Sequence, residues 1–221
     1  GMDKGDGMSN ETLVVWNSAL LKSAKLIFPM LIFSVFFAEP IMTCMYGDIY
    51  AQSSIYFVIK NLSGLFYIIP FYPIILAIGK TNSYANAHMI AAFMIVMAEY
   101  VVCKTFDSAV YVAITSELCK LFKIWLLLRV IANYAHKKIT ELLPPRPMTI
   151  LIMISVLASL PPFLLLDFLN MNKFIVLFVC LGFFLVDYYV LCWICKVTYR
   201  DIAGGFLKNK SRLNAVVKIL P

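Results

Sequence analysis

Phe174-Ile-Val-Leu-Phe-Val-Cys180-Leu-Gly-Phe-Phe-Leu-Val-Asp187-Tyr-Tyr-Val-Leu-Cys192-Trp-Ile-Cys195 is a run of 22 residues that holds a single charge. As a helix rising about 1.5 Å per residue, it is long enough to cross a hydrocarbon core roughly 30 Å thick. Outward from it the same texture recurs in five more segments, residues 12–38, 53–79, 89–103, 109–131 and 148–166. Hydrophobic residues make up 62% of the chain and charged residues 14%, with a mean hydropathy of +0.86. A soluble domain of this length needs more polar surface than that to cover its core. The reading is therefore an all-α integral membrane protein with about six transmembrane helices, since helices satisfy their own backbone hydrogen bonds in hydrocarbon. Residues 12–196 form the membrane domain, residues 1–11 a polar N-terminal segment without the look of a signal peptide, and residues 197–221 a basic tail.

Two of the six segments are irregular. The second is long, and Pro70 and Pro73 supply a break within it. The third is short, and extending it backward through Ser83-Tyr-Ala-Asn-Ala-His88 would bury polar residues. Six crossings place both chain ends on one side. That side then holds, outside the spans, Lys4, Lys80, Lys137, Lys138, Arg146, Lys196, Arg200, Lys208, Lys210, Arg212 and Lys218, while the other holds Lys104 and Lys173. Eleven basic residues against two predict that both termini are cytosolic. The +7 net charge needs no nucleic-acid partner to explain it, and the basic tail suits anionic lipid headgroups.

Ionisable residues inside the spans carry the functional signal, because each costs a few kcal/mol at the bilayer centre unless protein or water surrounds it. Lys22 and Lys25 in the first span are close enough to the cytosolic face to snorkel. Lys60, with Asn61, is seven residues into the second span. Glu117, Lys120 and Lys123 follow one another at steps of three in the fourth span, which puts them on one side of a helix, with Arg129 further on. Glu99 lies in the third span and Asp187 near the middle of the sixth. Lys60, Glu117, Lys120, Lys123 and Asp187 are thus the pore or lipid-binding candidates. In one reading Glu117 or Asp187 pairs with Lys60 to join helices. In the other, Lys60, Lys120 and Lys123 line a water-filled path or hold an anionic lipid or substrate group.

Nothing here points to an enzyme, a cofactor or a metal. His88 and His136 stand without a carboxylate motif, and no HExxH, GxSxG, P-loop or dinucleotide fingerprint occurs. Cys192-Trp-Ile-Cys195 has the spacing of a redox or metal motif but no companion ligands, so it reads with Cys44, Cys103, Cys119 and Cys180 as packing residues. The sequons at Asn10, Asn61 and Asn209 fall in segments predicted to be cytosolic or buried in the membrane.

A further set of landmarks is ordered in a familiar way. Trp16 precedes Ala19-Leu20-Leu21-Lys22, the first span ends in Ala38-Glu39-Pro40, and Ser53-Ser54-Ile55-Tyr56 opens the second. Phe71-Tyr72-Pro73, Arg146-Pro-Met-Thr-Ile-Leu and Asn172-Lys173-Phe-Ile-Val-Leu-Phe follow. Over residues 16–191 this order resembles the trimeric intracellular cation (TRIC) channels, without the first helix of that family. Taking one helix from the family's seven-span topology leaves six with both ends cytosolic, which is the topology that the charge count predicts. The family's Lys-Glu-Val lipid-binding signature is absent: its place is taken by Lys80-Thr-Asn-Ser-Tyr-Ala-Asn86. The glycine clusters that break the family's pore helices are missing from residues 12–38 and 109–131 as well, and Pro29 is the one helix-distorting residue of the first span.

The resemblance implies a homotrimeric channel subunit for monovalent cations, open to lipid regulation, in the endoplasmic reticulum or another internal membrane. The alternative is a non-conducting accessory subunit in a hetero-complex with another membrane protein. A weaker third reading is a transporter or lipid-modifying enzyme that uses Glu117 or Asp187 to handle protons.

Overall fold

The computed structural model describes residues 10–166, 172–195 and 197. The predicted tail, apart from Val197, and the first nine residues lie outside them. All regular structure among the described residues is helical. Four helices are long and apolar enough to cross a membrane: α1 (Asn10–Phe36, from Thr12 onward), α5 (Thr81–Thr105), α8 (Pro145–Leu165) and α9 (Lys173–Ile194). Between them are α2 (Ala38–Tyr46), a 3₁₀ turn (Asp48–Ser53), α3 (Ser54–Gly64), α4 (Phe71–Ala77), α6 (Ala109–Ala135) and a single turn, α7 (Ile139–Leu142).

The boundaries have local causes. Pro29 is inside α1 without ending it. Pro40 has no N–H to give the carbonyl of Phe36, so the helix is interrupted at Phe37, although Phe37 N–H and Ile41 N–H still bond the carbonyls of Phe33 and Phe37 at 2.9 Å. Helix therefore continues past Ala38, where the hydropathy reading stopped, to Tyr46. The second predicted span is two helices. After Gly64 the N–H groups of Leu65, Phe66 and Tyr67 reach back only three residues, tightening the turn, and Pro70 with Pro73 keeps α3 from running into α4. The third span gains the turns 81–88, as Tyr84 packs against Tyr72 and His88 at ring distances of 5.7 and 4.4 Å. α6 adds a turn beyond Ile131 and stops at His136, whose left-handed φ of 52° caps it. At the start of α9 the side chain of Asn172 accepts from Phe174 N–H at 3.1 Å.

The helices pack in the order α9, α8, α1, α3, α6, α5, each against the next. Two cores result. The first joins one half of α1 to α6, α4 and α7 through Trp16, Leu20, Phe28, Ile75, Ile131 and Leu142, and Trp16 Nε1 donates to the Leu142 carbonyl at 3.0 Å. The second joins the other half of α1 to α8 and α9 through Phe33, Phe37, Ala158, Cys180 and Phe184. On α8 the buried Ser155 and Ser159 turn their hydroxyls onto the carbonyls of Leu151 and Ser155, at 2.7 and 2.8 Å. With Ala158 they form a slim surface that lets α8 lie close to its neighbours. Cys119, Cys180 and Cys192 are buried while Cys195 is exposed, so the two ends of Cys192-Trp-Ile-Cys195 face different surroundings.

Candidate functional site

Glu117 is the most buried charged side chain among the described residues, 8% exposed on the inner side of α6. It lies eight residues into that helix, about 12 Å along its axis. α3 runs beside α6, so its residues meet Glu117 at a similar depth. Lys60, six residues into α3, brings Nζ to 3.4 Å from Glu117 Oε1, and Lys120 one turn along α6 brings Nζ to 2.7 Å from the same oxygen. The second carboxylate oxygen accepts from the Ser63 hydroxyl at 2.6 Å. Lys60 also stands 5.7 Å above the ring of Tyr67, in the turn that follows α3.

The break of the α3–α4 segment thus begins where the charges meet. Ser63 is buried at the last turn of α3, and Gly64 beside it faces Leu31 of α1: a β-carbon added there would stand 3.2 Å from Leu31 Cδ1. The cluster carries two ammonium groups against one carboxylate. Glu117 and Lys120 are largely covered, with side-chain exposures of 11% and 28%, whereas Lys60 is 61% exposed and so the looser partner.

Of the two carboxylates that sequence offered as a partner for Lys60, the fold selects Glu117. Asp187 is half-buried on α9, which packs on α8 and lies apart from α3 and α6, and among the described residues it has no ion-pair partner. Lys123 shares the face of Lys120 but makes no ion pair among the described residues. Glu99 is bound across the α5–α6 seam by the hydroxyl of Ser116. Arg129 sits over Trp125 at 5.4 Å on the outer face of α6. Asn61 turns away onto the carbonyl of Phe57 at 2.8 Å.

Sequence reasoning missed Ser63, Tyr67 and Ser116. For Ser63 a signal was present, since it is one turn from Lys60 on the same helix. Tyr67 had none, because only the turn after Gly64 brings its ring under Lys60. Among the described residues no group of three or more His, Cys, Asp or Glu is placed to hold a metal ion. No protein-family model matches the chain, and no curated protein or solved structure matches it.

Proposed function

We propose that the chain is a subunit of a monovalent cation channel of TRIC-like design in an internal membrane, with Glu117 and its two lysines as the gate. α3–α4 and α6 add two crossings to the four apolar helices, making six. α6 misses the apolar criterion because of Glu117, Lys120, Lys123 and Arg129, the residues that give it a function. The observation that carries the proposal is the coincidence of a broken helix with an ion cluster about 12 Å into α6, near the middle of a bilayer. Irregular backbone at that depth persists only where protein or water receives it, and broken helices beside charged groups are how membrane proteins build ion sites.

In this arrangement the lysine ammonium groups occupy the carboxylate that a passing cation would use. A lysine fixed in the path repels cations, so the state described is closed, and conduction requires Lys60, the exposed partner, to swing off Glu117. Lys120 and Lys123 continue the positive strip toward the cytosolic end, where an anionic lipid headgroup could draw them away from the path. Sidedness follows from basic residues: Lys80, Lys137, Lys138 and Arg146 belong to the end that holds the start of α1, and Lys104 and Lys173 to the other.

Planar bilayer recording of the purified protein tests this reading. Wild type should conduct potassium with low open probability, and Lys60→Gln should raise that probability several-fold. Absence of conductance at every voltage and calcium level, in both proteins, would overturn the channel.

A non-conducting accessory subunit is the second reading. It is favoured by the broad apolar face that α5 leaves uncovered, with Phe93 68%, Val96 66% and Tyr100 62% exposed. Native mass determination separates the two: a homotrimer supports the channel, and a stable hetero-complex supports the subunit.

A further inference from the structure

At the end of the bundle away from Trp16, a cavity of about 640 Å³ opens between α2, the 3₁₀ turn, the end of α8 and the start of α9. That volume is in the range of small-molecule sites, roughly 300–1,000 Å³. Its walls are of two kinds at two depths. Phe36, Phe163 and Val176 form an apolar wall, with the rings of Phe36 and Phe163 edge to face at 5.7 Å. Each belongs to the last turn, at this end, of a helix apolar enough to cross a membrane: α1, α8 and α9. They mark the edge of the hydrocarbon. Glu39, Asp48 and Lys173 form the polar rim, and the first two lie beyond the end of α1, at headgroup level.

The rim charges are only partly spent on one another. Lys173 pairs with Asp48 across the cavity mouth, yet their side chains remain 56% and 77% exposed, so the ammonium keeps donors for another acceptor. Glu39 makes no ion pair among the described residues. An occupant must therefore place hydrocarbon on the phenylalanine wall, a cation at Glu39 and an acceptor at Lys173. Two carboxylates against one lysine disfavour an occupant with net negative charge.

We infer that this cleft binds a zwitterionic phospholipid, its ammonium held by Glu39, its phosphate by Lys173, and its first acyl methylenes against Phe36 and Phe163. Such a molecule carries its positive and negative groups a few bonds apart at one depth, with apolar chains directly below. The site is independent of conduction: it lies at the opposite end of α1 from the first core and shares no residue with the Glu117 cluster.

Native mass spectrometry of the full chain, purified and delipidated in detergent, tests the assignment with three probes. Phosphatidylethanolamine should stay bound at about one tenth of the concentration that phosphatidylglycerol requires. Glu39→Gln should raise the required phosphatidylethanolamine concentration about tenfold. Equal retention of the two lipids by the wild type, or unchanged retention by Glu39→Gln, would overturn the proposal. Should Glu39→Gln fail to fold, Lys173→Gln is read in the same way through the phosphate. Glycerophosphoethanolamine, which has the headgroup without tails, should not displace the lipid; displacement at equal concentration would show that the headgroup alone is recognised and would overturn the lipid assignment.

Discussion

The two halves of the bundle meet the same demand, that no polar group be left bare in hydrocarbon, by opposite means. Around α8 and α9 the solution is omission. The serine hydroxyls buried there bond within their own helix, the Cys180 thiol donates to the Pro162 carbonyl at 3.5 Å, and Ser155, Ala158 and Ser159 at the contact are small. Around α3 and α6 the solution is pairing across helices, with Glu117 drawing Lys60, Lys120 and Ser63 together beside a helix break. A self-satisfied helix pair has one stable arrangement and little reason to move. A shared carboxylate with competing partners has several arrangements separated by modest free energies, and a switch needs that property. On the channel reading proposed above, the gate therefore belongs to the α3–α6 half.

Substitutions can break this comparison, and the largest effect belongs to Glu117. Glu117→Gln leaves two ammonium groups without a carboxylate and should lower stability by about 3–5 kcal/mol if the cluster is dry. Thermal unfolding in detergent, followed by tryptophan fluorescence, measures this. A loss below about 1 kcal/mol would mean that water already fills the site, which favours a path over structural glue. Ala158→Leu comes next: three new heavy atoms at a position with 0% exposure should cost about 1–3 kcal/mol. If the α8 seam tolerates it without loss, the close approach inferred for that half is wrong. Trp16→Phe removes the donor to the Leu142 carbonyl and keeps most of the ring, so about 1 kcal/mol is expected in the same assay.

The smallest effect is the sharpest test of the pairing. Asp187→Asn should change stability by no more than about 0.5 kcal/mol, since the carboxylate has no ion-pair partner among the described residues. Under a proton-handling mechanism the same substitution abolishes transport while the protein stays folded. Under a glue mechanism it destabilises the fold, which the geometry of α9 contradicts.

Much of the fold was legible in the chain because lipid acts on local composition. The run that begins at Phe174 needed no tertiary information to be read as a crossing helix, and Pro70 announced the break in the second segment. Boundaries were less legible. Turns 81–88 lie outside the apolar run, and they are helical because Tyr84 finds Tyr72 and His88, contacts that hydropathy does not register. The stretch 38–46 stays helical although it begins with Glu39-Pro40, because the hydrogen-bond ladder passes through Phe37.

Sequence by itself determined that this protein lives in a membrane, that its helices are long and apolar, and which few charged residues are misplaced there. Those are properties of residues and of their near neighbours. Only the tertiary structure decided that Glu117 rather than Asp187 takes Lys60. The two carboxylates are alike in chemistry and both lie inside predicted spans. What separates them is which helix packs beside α3: α6 does, and brings Glu117 to Lys60 across a sequence separation of 57, while α9 packs on α8.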